Sequence, residues 1–227
     1  LEEFDAQVRA ERSLAGCLLQ SVDLRGRADI LDKVPVTNAF FLGCRLKHRS
    51  AIDLAERGAA VFPRLPQVPF DAYRPALYTP RGLYGDLAHG YAASPDARVY
   101  AWTLRSRSAL LDASLAQALH DHFVSDALLE VVTSPGAGVG IMGGHNIVRG
   151  TPEYEQAARL GRGLADAGHL VMTGGGPGAM EAANLGASFR ESDDALMAAC
   201  RLLAQVPSFS PDAGAWAAQG FAVKERF

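Results

Sequence analysis

Two glycine-rich turns carry the residues of this sequence that are best suited to chemistry. The first reads Gly143-Gly144-His145, and the second runs from Thr173 to Glu181 with the sequence TGGGPGAME. Each turn follows a short apolar run and precedes a helical pattern. Glycines between a strand and a helix leave backbone N–H groups bare at the positive end of the helix dipole, which makes an anion site, usually for phosphate. We therefore expect one nucleotide pocket at the edge of a parallel sheet.

The expected pocket uses both turns and the residues beside them. The second turn would cradle the phosphate, with the Gly178 and Ala179 amides at the helix N-terminus, and the first turn would lie beside the sugar or base. The predicted nucleotide-binding or phosphate-binding residues are Gly143, Gly144, His145, Arg149, Thr173, Gly174, Gly175, Gly176, Gly178, Ala179, Met180 and Glu181.

Several of these residues have two possible roles at this stage. Glu181 could act as a catalytic carboxylate, or it could stabilise the first turn of its helix, where the helix dipole favours an acid. Arg149 could pair with a phosphate or could be a solvated loop arginine. His145 could contact the ligand from its glycine turn, and Met180 is expected to serve mainly in packing.

A dinucleotide site is the first alternative, because Gly174, Gly176 and Ala179 satisfy the G-x-G-x-x-G/A pattern. That pattern also requires an acid about 20 residues further on, at the end of the next strand. The acids near that distance, such as Asp193, open a predicted helix instead. The sequence contains no G-x-x-x-x-G-K-[ST] motif, which argues against a P-loop nucleoside triphosphatase.

The elements around the two turns predict two consecutive strand–turn–helix units. Residues 139–142 and 169–173 are expected to be short buried strands. Thr151, Pro152 and Glu153 mark a helix start, with a capping side chain, a proline at the first helical position and an acid in the first turn. Gly168 is expected to end that helix in the left-handed conformation. This order is half of a doubly wound sheet.

The residues before the turns predict a smaller α/β domain, with no internal repeat. Its expected elements are a β–α–β unit, a long loop rich in proline and tyrosine, a short strand and a long helix, at residues 36–62, 63–97, 98–102 and 109–132. We place the domain boundary between residues 133 and 134. The predicted fold is therefore α/β: a Rossmann-like parallel sheet with helices on both faces at 134–227, preceded by a smaller α/β domain at 1–133.

Composition narrows the class of protein. The chain has 227 residues and a net charge of −3, which argues against a dedicated nucleic-acid binder. No apolar run approaches the roughly 18 residues that span a membrane, and the acidic start lacks a signal-peptide core. Three widely spaced cysteines suggest neither a disulfide framework nor a zinc site, so we expect a cytoplasmic protein.

Two histidines flank an aspartate on the predicted long helix, which raises the question of a metal site. A spacing of two residues directs His120 and His122 to different sides of a helix, so no metal site is expected there. His122 falls on the apolar stripe and is expected to pack in the core.

The stretch from 139 to 187 resembles the Lonely Guy (LOG) family, long mislabelled as lysine decarboxylases. The resemblance rests on GGH after the first strand, on Tyr154 and Ala158 in the helix, and on GGGPGAM after the second strand. The continuation of the second turn as MEA looks more like the larger bacterial nucleotide 5′-monophosphate nucleosidases of that group. Those relatives also carry an extra N-terminal domain.

This resemblance implies hydrolysis of the N-glycosidic bond of a nucleoside 5′-monophosphate to free base and ribose 5-phosphate, without a cofactor, by a homo-oligomer. Such a bond breaks through an oxocarbenium-like state, so a carboxylate is wanted near the anomeric carbon. Amides or a cation must hold the phosphate. The family's third signature, PGGxGTxxE, supplies the catalytic glutamate and is absent here, so we assign no catalytic residue.

Because the third signature is missing, the sequence is consistent with more than one function. The simplest expectation is that these residues are part of a longer protein, and the other is a degenerate, non-catalytic relative. A nucleotide-sensing module of the same fold is therefore the main rival to the enzyme. A DNA-processing protein that uses a related domain on single strands is a further rival, although such binding needs a positive groove.

Overall fold

The structure is a computed structural model of the chain. It describes residues 1–65, 68–85, 87–105, 111–133, 137–189 and 191–227. These residues form two compact units: unit 1 comprises Leu1–Thr79 and Pro95–Leu129, and unit 2 comprises Pro80–Ser94 and Glu130–Phe227. The boundary predicted from the sequence adjoins residues 134–136, which lie outside the described residues.

Helices and short strands alternate along the described part of the chain. In chain order they are α1 (Glu2–Glu11), β1 (Leu18–Gln20), α2 (Ala28–Leu31), β2 (Phe40–Leu42), α3 (His48–Glu56), β3 (Ala60–Phe62), α4 (Pro80–Tyr84), α5 (Pro95–Arg105), α6 (Leu111–Val132), β4 (Gly138–Ile141), α7 (Pro152–Asp166), β5 (Leu170–Thr173), α8 (Ala179–Ser188), α9 (Asp193–Leu203) and α10 (Ala213–Arg226). All paired strands are parallel, which confirms the predicted α/β class, although both sheets are small.

Unit 1 contains a parallel sheet in the order β1-β2-β3. Leu19 pairs with Phe41, and Phe41 pairs with Val61, so one apolar residue from each strand lies in register. The predicted β–α–β unit is present as β2–α3–β3. Its neighbour β1 was not expected, because a strand of three residues is too short to show a period in the sequence.

The three strands of unit 1 recur at a spacing of about twenty residues, which is a repeat that the sequence analysis did not predict. Gly16, Asn38 and Gly58 each lie two residues before a strand, and all three have positive φ angles of 70°, 58° and 88°. Their backbones stack: Gly16 N–H donates to Thr37 O, and Asn38 N–H donates to Gly58 O. The expectation of no repeat is wrong because these units share backbone conformation and burial rather than residue identity.

Apolar side chains from these repeats form the main core of unit 1. A second cluster packs Leu42 against Tyr73 and Ala116. Tyr73 also packs against Phe123 of α6, with the ring centres 6.1 Å apart. The buried residues of the main core are Phe4, Leu14, Leu19, Leu24, Leu31, Val34, Val36, Ala39, Phe41, Leu54 and Ala59.

Two predictions in this part of the chain are wrong. Residues 98–102 lie inside α5 rather than in a strand, because Pro95 and Asp96 supply a helix start that outweighs the β-branched and aromatic residues. The packed histidine is His120, whose Nε2 lies 2.9 Å from Tyr78 Oη. His122 instead exposes 64% of its side chain and lies 3.5 Å from Asp126.

Unit 2 contains the predicted pair of strand–turn–helix units, but its strands are partly exposed and not buried as expected. Strands β4 and β5 are parallel, in a register that runs from Gly138↔Leu170 to Ile141↔Thr173. Thr151 caps α7 by accepting a hydrogen bond from Tyr154 N–H, as predicted, and Gly168 has the expected positive φ of 84°.

Helices α7 and α8 pack against each other at two glycines. A Cβ atom at Gly161 of α7 would overlap Ala183 O, and one at Gly186 of α8 would overlap Ala158 O. Close helix contact at glycine brings the backbones together and holds α8, with the turn before it, in one position. The buried core around these helices consists of Tyr154, Ala158, Ala182, Phe189, Leu196, Met197, Ala199, Cys200, Leu203 and Val223.

Each helix in the described ranges is too short or too polar to span a lipid bilayer.

Candidate functional site

The two glycine-rich turns lie side by side at the carboxyl edge of the β4–β5 sheet. Ile141 and Thr173, the last residues of the two strands, are paired in register. The turns also contact each other directly, because Gly144 O accepts hydrogen bonds from Ile147 N–H (3.0 Å) and from Ala179 N–H (3.2 Å). The expected proximity of the two turns is therefore present, and it depends on a backbone bond as well as on the sheet.

Glycine is required where the turns meet. Gly178 has a φ of 74°, and a Cβ atom there would overlap Gly144 O. Gly144 has a φ of 66°, and its Cβ would lie 2.6 Å from Ala179 Cβ. Side chains at either position would meet both a strained backbone and a neighbouring turn. These two glycines therefore serve the contact between turns, whatever else they do.

The backbone N–H groups of the second turn divide into engaged and open ones. Ala179 N–H donates to Gly144 O, and Gly175 N–H donates to Thr173 Oγ1 (3.1 Å). The N–H groups of Gly176, Gly178 and Met180 donate to no protein atom in the described ranges. The contact expected from the Ala179 amide is thus replaced by a bond within the protein, while three N–H groups around the start of α8, here called open, have no partner among the described residues. Gly176 is partly exposed, whereas Gly178 and Met180 are buried.

The predicted residue Thr173, at the end of β5, forms a polar pair with Asn184, which was not among the residues predicted for the site. Asn184 Nδ2 donates to Thr173 Oγ1 at 2.7 Å, and the same hydroxyl oxygen accepts from Gly175 N–H. Both lone pairs of the Thr173 oxygen are then engaged. The hydroxyl can therefore bind a further group only by donating its own hydrogen. Asn184 is exposed on α8. A polar residue in the alanine-rich sequence MEAANLGA was the available signal.

Arg149 lies neither in solvent nor at an open anion site. Its side chain is 2% exposed, which rules out the solvated-loop alternative. The guanidinium donates to Glu181 Oε1 from Nε at 2.9 Å and from Nη2 at 2.5 Å. Nη1 donates to Val206 O and Trp216 O at 3.1 and 3.2 Å, and the guanidinium carbon lies 4.4 Å from the centre of the Trp216 ring.

Glu181 occupies the first turn of α8, as the simpler of its two predicted roles requires, but it also forms this ion pair. Its second oxygen, Oε2, is buried and has no hydrogen-bond partner among the described residues, and neither has the hydroxyl of Tyr154. Burial and the nearby Glu181 carboxylate together raise the pKa of Tyr154 far above its ordinary value. This hydroxyl therefore stays protonated at any physiological pH.

The remaining predicted residues divide between exposed and packed positions. Gly143, His145, Gly174 and Gly175 are exposed in the two turns. Met180 is buried, and its sulfur lies 3.5 Å from where a Cβ atom of Gly174 would be. Met180 thus packs beneath the second turn, as expected.

The positions of the described residues do not support a dinucleotide site, a reactive Cys200 or a metal site. Asp193 begins α9 after the Ser192 cap and lies 3.4 Å from Arg159, so it does not stand at the end of a strand as a dinucleotide site would require. Burial raises the pKa of Cys200 to about 11, which keeps this thiol protonated. The described residues include no group of three or more histidine, cysteine, aspartate or glutamate side chains placed to hold a metal ion.

Comparison with known proteins relates one segment of the chain to a family. Residues 137–193, which include β4, α7, β5 and α8, match the model of the SLOG cluster4 family. The SLOG superfamily includes LOG-like proteins, so the match supports a nucleotide-related function at the superfamily level. No curated protein and no solved structure matches the chain.

Proposed function

We propose that unit 2 binds a nucleoside 5′-monophosphate at the two glycine turns and hydrolyses its N-glycosidic bond to free base and ribose 5-phosphate. The open amides of Gly176, Gly178 and Met180 at the start of α8 carry this proposal. They provide hydrogen-bond donors at the positive end of a helix of ten residues, which is the arrangement that a phosphate group requires.

The other turn and the polar pair complete the proposed site. The phosphate binds at 174–178, and the exposed residues Gly143 and His145 face the sugar or base. Thr173 and Asn184 lie beside the phosphate turn and supply an O–H donor and an amide group for the sugar hydroxyls. The match to the SLOG cluster4 family over residues 137–193 supports a nucleotide as the ligand.

A non-catalytic nucleotide sensor is the second candidate, and one observation favours it. Glu181 is the single carboxylate within 143–149 and 173–181, and its Oε1 accepts two bonds from Arg149. A general base or an oxocarbenium-stabilising group needs a carboxylate that can reach the substrate. If Glu181 cannot reach the substrate, a carboxylate from elsewhere in the assembly must act instead, or the protein binds the nucleotide without hydrolysing it.

Base release separates these candidates. The full-length protein is incubated with AMP, CMP and GMP, and free base is measured by chromatography, while nucleotide affinity is measured by calorimetry. Base release supports the enzyme, and tight binding without release supports the sensor. Neither binding nor release would reject both, and salt-sensitive binding to single-stranded oligonucleotides would favour the DNA-processing alternative instead.

Gly176→Val tests whether the phosphate lies at the second turn. A Cβ atom at Gly176 would come within 2.5 Å of Met180 Cε, the mobile end of a flexible side chain, so the fold can adjust. The valine would still block an anion from the Gly176 amide, and we expect nucleotide binding to be abolished. Gly163→Val in α7 is the control, because nothing lies within 4 Å of a Cβ atom there. Unchanged affinity in Gly176→Val would reject the proposed phosphate position.

We further propose that the protein self-associates, as the LOG resemblance implies. Light scattering coupled to size exclusion measures the mass in solution, and a monomer at micromolar concentration would contradict this proposal.

A further inference from the structure

We infer that Arg149 and Glu181 act as a neutral buried pair that positions the phosphate-binding turn, and that neither side chain touches the nucleotide. This inference deepens the proposed function and rests on it. It assigns to both residues a role that differs from direct ligand contact. The reasons are the burial of Arg149, whose side chain is 2% exposed against 18% for Glu181, the number of bonds that Arg149 already makes, and the charge that Glu181 would otherwise place beside a phosphate.

The bonds of Arg149 leave it little capacity for a ligand. A guanidinium has five N–H donors, and four of them are engaged by Glu181 Oε1, Val206 O and Trp216 O. One face of the group lies over the Trp216 ring, and the side chain is 2% exposed. A phosphate could reach this group only if several of these bonds were broken.

The same bonds tie four segments of unit 2 together. Arg149 lies in the loop after β4, Glu181 lies in the first turn of α8, and Val206 and Trp216 lie after α9 and in α10. The backbone of Arg149 adds a further link, because its N–H donates to Pro207 O at 3.3 Å. The pair therefore holds the N-terminus of α8 against the loop that contains the first glycine turn. Any shift of the pair would move the open amides.

Charge gives the second part of the argument. A carboxylate in the first turn of a helix interacts well with the helix dipole, but it repels an anion bound at the same end. Arg149 cancels this repulsion, because its guanidinium lies 2.5 Å from the carboxylate. The region beneath the phosphate-binding turn is then electrically neutral, and the open amides determine the sign of the potential that an incoming anion meets.

Glu181→Gln combined with Arg149→Met tests this inference, because the double variant removes both charges and keeps approximate volume. Arg149→Met alone leaves an uncompensated carboxylate beside the anion site. We expect it to weaken binding of ribose 5-phosphate by about 10- to 100-fold, the effect of one unscreened charge at several ångströms. The double variant should bind ribose 5-phosphate more tightly than Arg149→Met, because no net charge remains, but less tightly than the wild type, because the bonds that position the turn are lost.

Three further measurements separate the effect of charge from damage to the fold. Arg149→Lys keeps the positive charge but has three donors on a flexible stem, so we expect an intermediate affinity. Adenosine, which carries no phosphate, should bind Arg149→Met and the double variant equally well, whereas AMP should distinguish them. Thermal unfolding of every variant, without ligand, reports whether a loss of affinity reflects loss of structure.

The outcomes also separate this inference from the proposed function. A double variant as weak as Arg149→Met would overturn the inference, because removal of the Glu181 charge would then bring no recovery of affinity. Wild-type affinity in Arg149→Met would overturn it too, while leaving the proposed function intact. If the wild type binds ribose 5-phosphate and the double variant recovers affinity that Arg149→Met has lost, the inference is supported. This holds even if no base is released from AMP. A wild-type protein that binds none of these ligands overturns both.

Discussion

Both units of this protein contain parallel strands with positive-φ residues at their ends, but the elements that follow these residues differ between the units. In unit 1, Gly16, Asn38 and Gly58 precede the strands and let the chain turn into each one. In unit 2, Gly175 and Gly178 follow a strand and precede a helix. Gly168 of unit 2 also precedes a strand, and Gly43 of unit 1 also follows one, so the strand end alone does not distinguish the two kinds of turn. The distinguishing feature is that α8 begins directly after Gly178, which places backbone N–H groups of the turn at a helix N-terminus.

The carboxyl ends of the strands show the same contrast. Gly43 follows β2 in unit 1, and a Cβ atom there would lie 2.5 Å from the Tyr73 ring. The space beside that strand end is therefore filled by the protein's own side chain. In unit 2, nothing lies within 4 Å of a Cβ atom at Gly175. The glycine in unit 1 accommodates an aromatic ring, and Gly175 in unit 2 faces open space.

The largest expected effect comes from removing the central side chain of the unit 1 repeats. Phe41 is fully buried and pairs in register with Leu19 and Val61. Phe41→Ala should reduce the free energy of unfolding by about 3–5 kcal/mol, through lost burial and the cavity that remains. Urea unfolding followed by circular dichroism measures this. Nucleotide affinity of the protein that remains folded should be unchanged, and a parallel loss of affinity would show that the two units are not separable.

A smaller loss is expected from the helix contact that supports the unit 2 turn. Gly161→Ala would place a methyl group against Ala183 O, and we expect a cost of about 1–3 kcal/mol from overpacking. Gly163→Ala, two residues away in the same helix, meets open space and should stabilise the helix by up to about 1 kcal/mol. Thermal unfolding of the two variants side by side checks the contrast. Equal melting temperatures would mean that α7 and α8 do not approach as closely as described.

The polar pair at the end of β5 should affect binding more than stability. Thr173→Val keeps the shape of the side chain but removes the oxygen that accepts from Gly175 N–H and Asn184 Nδ2. We expect AMP affinity to fall by about fivefold, the effect of about 1 kcal/mol, because the turn loses a bond that orients it. Thr173→Ser retains the hydroxyl and should bind almost normally. Calorimetry measures the AMP affinity of both variants, and equal affinities would show that the Thr173 hydroxyl does not contribute to the site.

The smallest effect concerns the turns of unit 1. Asn38 adopts a φ of 58°, which glycine tolerates without steric cost, so Asn38→Gly should change stability by about 0.5 kcal/mol or less. Asn38→Ala should cost about 1 kcal/mol, because a Cβ atom disfavours the left-handed conformation. The urea midpoints of both variants measure the difference. A substantial change in AMP affinity from either substitution would argue against the distinction between the two kinds of turn.

Prediction from sequence succeeded where a structure depends on neighbouring residues. The Thr151 cap, the left-handed Gly168 and the strand–turn–helix order of unit 2 each follow from a few consecutive residues. Prediction failed where several weak signals had to be combined over long separations. The repeat of unit 1 is not apparent in the sequence, because Gly16, Asn38 and Gly58 share a backbone conformation but not a side chain.

The glycine turns, and the class of ligand that such turns favour, can be predicted from the order of the residues. The reason is that a backbone conformation accessible to glycine and the start of a helix are both local properties of the chain. The partners of Arg149 are not, since Glu181 and Trp216 lie 32 and 67 residues away from it in the chain. Folding alone brought these groups together. A buried charge must find a partner of opposite sign, and the packing of α8 and α10 determines which one is within reach.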